Sequence, residues 1–91
     1  MGKEVRLFKS EERKKKAEVA DFLRQLADKL DQGNVVLKRG QEEISLSIPE
    51  NLILEIQVED EDKKRKGIQH SLEVEIKWFD NEEIYASLEL G

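Results

Sequence analysis

The sequence predicts an α+β fold, a two-layer sandwich in which one amphipathic helix packs on one face of a mainly antiparallel sheet of four to six strands. Two observations carry this prediction. Apolar side chains recur at helical spacing between residues 11 and 32, and after residue 33 they alternate with polar ones at every second position. The connections between the alternating segments are short, which favours antiparallel neighbours in a meander. One face of the sheet is then covered by the helix and the other meets solvent.

One helix is expected from residue 11 to residue 32, after a short strand at residues 5–8. Ser10 is a favourable N-cap, and the acidic residues that follow it suit a helix N-terminus. Gly33 is placed to adopt the left-handed conformation that ends many helices. The buried stripe of the helix is predicted to comprise Val19, Leu23, Leu26 and Leu30, widened by Ala20, Phe22 and Ala27.

Four segments after the helix alternate apolar and polar residues, and each predicts a strand. The first two flank a turn at residues 39–42 and form a hairpin. Pro49 separates the third strand, and the charged run at residues 60–67 separates the fourth, which should be the longest. A turn at residues 80–82 precedes a last expected strand at 84–90. The core of the sheet is predicted to comprise Val35, Leu37, Ile44, Leu46, Ile48, Leu52, Leu54, Ile56, Val58, Leu72, Val74, Ile76 and Trp78.

Length and composition limit the classes of function. A chain of 91 residues without a Gly/Ser-rich or Pro-rich linker predicts a single domain over residues 1–91. The absence of cysteine excludes disulfides and thiolate metal sites, and no stretch approaches the roughly 20 apolar residues of a membrane span. We therefore expect a cytoplasmic protein without membrane contact. The net charge of -5 argues against nucleic acid as the main partner, because phosphate contact depends on Lys and Arg.

The order and spacing of several short motifs resemble the amphi-Trp domain, a small domain of prokaryotes, found especially in archaea. The similarity covers about residues 5–79, so the segment from residue 80 to 91 is expected to be an additional C-terminal strand. The resemblance implies the fold only, and it brings no activity, cofactor or site residue with it. The matching motifs are Val19–Arg24, Leu26–Ala27, Pro49–Glu50, Leu54–Ile56 and Leu72–Trp78.

No pattern of catalytic residues is present. His70 is the only histidine, and the serines of the strands have no orienting partner, so a nucleophile with a general base is not predicted. The carboxylates at residues 59–62 lack the glycine and the alternation of a calcium loop, and the basic run that follows neutralises them. We interpret this segment as a solvated hairpin tip. The sequence therefore predicts a protein that is not an enzyme and needs no cofactor.

Two basic clusters are candidates for binding nucleic acid. The first is predicted to lie in the first turns of the helix, where positive charge opposes the helix dipole. The second belongs to the charged loop before the fourth strand. Weak nucleic-acid binding through both clusters is the alternative hypothesis for function, beside the simpler interpretation as solvated surface. The residues of this candidate basic patch are Arg13, Lys14, Lys15, Lys16, Lys63, Lys64, Arg65 and Lys66.

The leading hypothesis is a non-enzymatic interaction module that binds another protein or a second copy of itself. A sheet edge is one candidate surface. Phe79 and Tyr85, which fall outside the core register, form another candidate contact surface. The open face of the sheet should be acidic, which suits either solubility or a cationic partner, and its lack of aromatic residues excludes an RRM-type surface. The acidic face is predicted to carry Glu55, Gln57, Glu73, Glu75 and Lys77.

Overall fold

A computed structural model describes residues 2–80 of the chain, and the predicted α+β class is confirmed. The described residues contain one α-helix and four strands, and both strand pairs are antiparallel. The chain divides into two compact units, Met1–Glu50 and Asn51–Gly91. The elements are α1 (Lys16–Gln32), β1 (Asn34–Arg39), β2 (Glu42–Ser47), β3 (Ile53–Asp62), a 3₁₀ turn (Lys64–Lys66) and β4 (Ile68–Lys77).

The four strands form two separate sheets of two strands, β1 with β2 and β3 with β4. The prediction of one meandering sheet is wrong in this respect for residues 2–80, although both hairpins were predicted. Pro49, which follows β2, has no N–H to donate and interrupts the ladder before β3 begins. The covering of the sheet by the helix and the single domain over residues 1–91 stay predictions, and the predicted strand at 84–90 lies outside the described residues.

The helix begins later than the sequence predicted. It starts at Lys16 instead of residue 11, and its N-cap is Lys15 instead of Ser10. The Ser10 hydroxyl donates to the Glu12 carboxylate at 3.4 Å and caps nothing. At the actual start, the Glu18 carboxylate accepts the Lys15 N–H at 3.0 Å and so satisfies a backbone donor that the helix leaves unpaired. Within residues 2–80, no helix is long and apolar enough to cross a membrane.

The prediction of a short strand at residues 5–8 is also wrong. This segment belongs to no helix or strand, and the side chains of Val5 and Leu7 are 74% and 70% exposed. Alternation over so few residues specifies a strand only where a neighbouring strand supplies the hydrogen bonds of a ladder. Among the described strands, none pairs with this segment.

The end of the helix and the first hairpin were predicted correctly. Gly33 adopts the left-handed conformation (φ 86°, ψ 10°), and its N–H donates to the carbonyls of Leu30 and Lys29. Its own carbonyl accepts the Ile48 N–H at 2.9 Å, which joins the helix end to the chain after β2. The register places Val35 opposite Leu46, and Val35 is buried where α1 packs on β1.

The second hairpin is longer than predicted. Strands β3 and β4 have 10 residues each, so the fourth strand is not longer than the third. The loop is confined to residues 63–67, whereas the charge pattern predicted residues 60–67. The carboxylates of residues 59–62 therefore belong to β3 and do not form a hairpin tip, because Asp60, Glu61 and Asp62 pair with β4 despite their charge. Strand β4 ends at Lys77, one residue before the half-buried Trp78.

Candidate protein-binding edge

The β3–β4 hairpin has one apolar face. In the register Ile56 lies opposite Val74 and Val58 opposite Leu72, so alternate residues of both strands project to the same side. The exposed fraction of the side chains on this face ranges from 56% for Ile56 to 72% for Val58, with Ile76 half-buried. A hairpin of two strands cannot cover such a face by itself. The members of the face are Leu54, Ile56, Val58, Leu72, Val74 and Ile76.

The opposite face is acidic, as the sequence predicted. Glu55 lies opposite Glu75, and Gln57 lies opposite Glu73. Lys77 is the basic residue of this face, and its Nζ is 2.7 Å from Glu55 Oε1 and 3.9 Å from Glu75 Oε1. The hydrogen bond and the charge of Lys77 lower the pKa of Glu55, and the same contacts raise the pKa of Lys77. One lysine therefore compensates only part of the negative charge of the face.

The remaining charge is concentrated around Glu59 and Glu73. A hydrogen bond between these two carboxyl groups, reduced hydration and the repulsion of Glu59 together raise the pKa of Glu73. A raised pKa means that the folded protein favours the protonated acid. This contribution to stability is present below the pKa of the unfolded chain and is lost as the pH rises through the folded pKa. At neutral pH the ionised Glu73 is therefore unfavourable in the hairpin.

We expect Glu73→Gln to raise the melting temperature at pH 7 by about 1–3 °C, because glutamine keeps a hydrogen-bonding group and removes the repelling charge. At pH 3 the two proteins should have the same melting temperature, since the glutamate is then protonated in both the folded and unfolded states. Thermal unfolding followed by circular dichroism at both pH values measures the difference. Glu42→Gln, at an exposed position of β2, is the control. A lower melting temperature for Glu73→Gln at pH 7 would contradict the prediction.

The backbone groups of β3 alternate between the hairpin and its outer edge. The Lys63 N–H donates to the Gly67 carbonyl at 2.8 Å, so this pair is hydrogen-bonded. In an antiparallel ladder every second pair is of this kind, and the register is continuous back to Ile53 opposite Lys77. It follows that Glu55, Gln57, Glu59 and Glu61 direct their N–H and C=O groups toward β4. The groups that point to the outer edge belong to Leu54, Ile56, Val58, Asp60 and Asp62.

The outer edge of β3 is unpaired by any strand within residues 2–80. The sequence predicted a sheet edge as a candidate surface, but it did not indicate which backbone groups face outward. The sequence also did not predict that the hairpin continues through the last three strand pairs, from Asp60 opposite His70 to Asp62 opposite Ile68. A usable signal was present, because Ile68 is in phase with the alternating residues Leu72 and Val74.

His70 and the carboxylates near it form no metal site. His70 Nδ1 is 2.7 Å from Asp60 Oδ1, and both side chains are largely exposed. The alternation of the strand sends Glu59 and Glu61 to one face and Asp60 and Asp62 to the other. Consequently, no group of three or more potential ligands in the described part of the chain is arranged to hold a metal ion.

The loop between β3 and β4 presents a basic cluster in a defined turn. The Asp62 carboxylate accepts the Lys64 N–H at 2.8 Å, and Lys64 has a positive φ of 60°. Lys63 lies 3.3 Å from Glu61, whereas Lys64, Arg65 and Lys66 make no ion pair with any described residue. The loop thus carries three exposed positive charges that no described carboxylate neutralises.

The remaining candidate residues from the sequence are the basic residues before and at the start of α1, and the aromatic residues Phe79 and Tyr85. Arg13 and Lys14 precede the helix instead of lying in its first turns, and Lys14 is 3.3 Å from Glu12. The basic residues at 13–16 belong to the first compact unit and those at 63–66 to the second, so a shared basic patch stays a prediction. Phe79 is 50% exposed and follows the end of β4. Tyr85 lies outside the described residues, so the patch that it would form with Phe79 also stays a prediction.

The first unit has a groove of about 560 Å³ between its N-terminal segment, α1 and β1. Phe8, Val19, Phe22 and Leu37 supply its apolar part, and both acidic and basic side chains surround them. Charges of both signs at the rim do not select a ligand of one charge. The β3 edge is therefore the better-defined candidate site.

The comparisons with known proteins identify a family. The model of the family described as Amphi-Trp domain matches residues 1–90, which is essentially the whole chain. No curated protein and no solved structure matches the sequence.

Proposed function

This chain belongs to the Amphi-Trp domain family, and we propose that it is a non-enzymatic protein-binding module that accepts an extended segment of a partner at the outer edge of β3. The observation that supports this proposal is a hairpin with 10 residues in each strand, whose β3 edge is unpaired within residues 2–80 and adjoins an exposed apolar face. Such an edge offers a row of N–H and C=O groups to an added strand.

An added strand would supply what the hairpin lacks. Isolated two-stranded hairpins are marginally stable, and a third strand extends both the hydrogen-bond ladder and the apolar face. The outward groups of Leu54, Ile56 and Val58 lie in the part of β3 whose side chains are apolar. Backbone hydrogen bonds there would be partly shielded from water by those side chains.

We choose β3 over β4 because the charged side chains of β3 are all acidic, whereas β4 carries both acidic and basic residues. An edge of one charge sign can select a partner of the opposite sign. The proposal also includes a cytoplasmic location. The surface is rich in charge and the protein has no cysteine, so binding would not depend on redox conditions.

Hydrogen exchange at the edge tests the proposal directly. The tagged full-length protein is used to capture partners from nuclease-treated lysate of its source cells, and amide exchange is then compared with and without each partner. We expect slower exchange at the outward amides of Ile56 and Val58, with little change at Gln57, which is already in the ladder. A partner that leaves Ile56 and Val58 unprotected would contradict binding at this edge.

Nucleic-acid binding is the second candidate, and the unneutralised charges of the β3–β4 loop favour it. If the loop contacts phosphates, reversing Lys64 and Arg65 to glutamate should reduce the salt dependence of binding by about one unit of slope for each lost contact. Titration of a labelled RNA and a labelled DNA at several salt concentrations measures this slope. The double variant Lys3→Glu and Arg6→Glu makes the same change of charge at exposed positions before α1, outside both basic clusters, and serves as the control. An unchanged slope for the loop variant would exclude the loop as a site of phosphate contact.

A further inference from the structure

We infer that the partner segment alternates apolar residues with lysine or arginine. This inference rests on the proposed function, because it specifies the chemistry of the strand that would pair with the outer edge of β3. Three features of the hairpin carry it: the charge of β3, the different chemistry of its two faces, and the poor fit of a second β3 strand.

The charge of β3 is entirely negative. Its 10 residues include five carboxylates and no basic residue. Lys77 contacts Glu55, Lys63 contacts Glu61, and His70 contacts Asp60, all from outside the strand. Glu59 and Asp62 have no basic partner among residues 2–80. The carboxylates of the strand are Glu55, Glu59, Asp60, Glu61 and Asp62.

The two faces of β3 specify two kinds of partner side chain. A strand added to the edge places alternate side chains about 5 Å from those of β3 on the same face. On one face these neighbours are Leu54, Ile56 and Val58, which favour apolar partners. On the other face Glu55 and Glu59 favour lysine or arginine. Beyond Val58, Asp60 and Asp62 add negative charge to the first face, so the partner should be basic on both faces at that end.

A second copy of β3 is a poor occupant of the same edge. In the antiparallel register centred on Gln57, each Glu55 lies opposite Glu59 of the other copy. In every register, two strands with five carboxylates each and no basic residue are brought side by side. Like charges placed opposite each other are destabilising, and little positive charge is available to offset them. Charge complementarity therefore favours a basic segment of another protein over self-association through β3.

Acidic side chains at an edge also protect a strand against aggregation. If protection were their only role, the edge would reject every added strand, including a basic one. Peptides that share one apolar pattern and differ in charge distinguish the two roles.

The test uses three labelled peptides of nine residues with valine at alternate positions and lysine, glutamine or glutamate between them. Fluorescence anisotropy with the full-length protein measures affinity, and hydrogen exchange at Ile56 and Val58 locates binding. We expect the lysine peptide to bind at least about tenfold tighter than the glutamine peptide, the glutamate peptide not to bind, and salt to reduce the difference. A fourth peptide with the same lysines and valines in separate blocks should bind more weakly than the alternating one.

Matched variants of the protein complete the test. Glu59→Gln with Glu61→Gln should weaken binding of the lysine peptide about tenfold, and Glu42→Gln with Glu43→Gln on β2 should not. If the lysine and glutamine peptides protect the amides of Ile56 and Val58 equally, the preference for basic side chains is overturned and the proposed edge binding stands. If no peptide protects Ile56 and Val58, both the specificity and edge binding are overturned. Lysine-peptide binding without protection at these amides would be non-specific and would also overturn the inference.

Discussion

Ile56→Pro is expected to prevent binding of the alternating lysine peptide and to leave the hairpin folded, whereas Gln57→Pro is expected to unfold the hairpin. The difference follows from the direction of one N–H group. The Ile56 N–H points to the outer edge of β3, and the Gln57 N–H points into the ladder with β4. Proline removes the N–H in both cases, but among the described residues only Gln57→Pro removes a hydrogen bond of the β3–β4 ladder.

The two variants should differ strongly in stability. Gln57→Pro removes a hydrogen bond of the ladder and leaves its acceptor unpaired, which costs about 1–3 kcal/mol, a large part of the 5–15 kcal/mol that stabilises a typical domain. For Ile56→Pro the peptide affinity should fall by about tenfold or more, because one intermolecular hydrogen bond is lost and the proline ring obstructs the approaching strand. Urea unfolding measures the first effect, and fluorescence anisotropy measures the second.

Ile56→Ala is the control for the lost side chain. It removes most of the apolar surface of Ile56 and keeps the outward N–H, so it should bind the lysine peptide more tightly than Ile56→Pro. If the proline and alanine variants bind equally, the partner does not use the backbone of this edge. Equal stability of Ile56→Pro and Gln57→Pro would contradict the assignment of inward and outward groups.

Gly67→Asn is expected to destabilise the protein by about 1–3 kcal/mol, because Gly67 has a backbone conformation that only glycine adopts readily (φ 83°, ψ -155°). A Cβ atom at this position would meet no atom within 4 Å, so the expected loss comes from the backbone and not from a clash. Since Gly67 closes the loop through its carbonyl contact with Lys63, the variant should also alter the conformation of the basic turn.

Gly33→Asn is the matched control for this prediction. Gly33 also has a positive φ of 86°, but its ψ of 10° is in the left-handed helical region, which asparagine tolerates at the end of a helix. We expect Gly33→Asn to lose only a few tenths of a kcal/mol. Urea unfolding of both variants measures the difference, and equal losses would contradict the distinction between the two glycines.

Much of the local structure could be predicted from the sequence. The stop of the helix at Gly33 and the alternation of both hairpins were predicted because each depends on neighbouring residues. The acidic face of β3 and β4 was predicted for the same reason: once a segment is a strand, its side chains alternate between the two faces. The start of the helix was predicted wrongly because Ser10 has the side chain of a typical N-cap. The actual N-cap is Lys15, whose backbone N–H donates to the Glu18 carboxylate.

The candidate site depended on contacts that no local pattern specifies. The sequence by itself determined that strands with an apolar and an acidic face would occur, and that basic residues would follow the third strand. Only the tertiary structure decided that β3 continues through its carboxylates to Asp62, that β3 pairs with β4 and not with β2, and that Ile56 directs its N–H outward. The physical reason is that strand pairing joins residues distant in sequence, and the direction of every backbone group in the ladder follows from a single register.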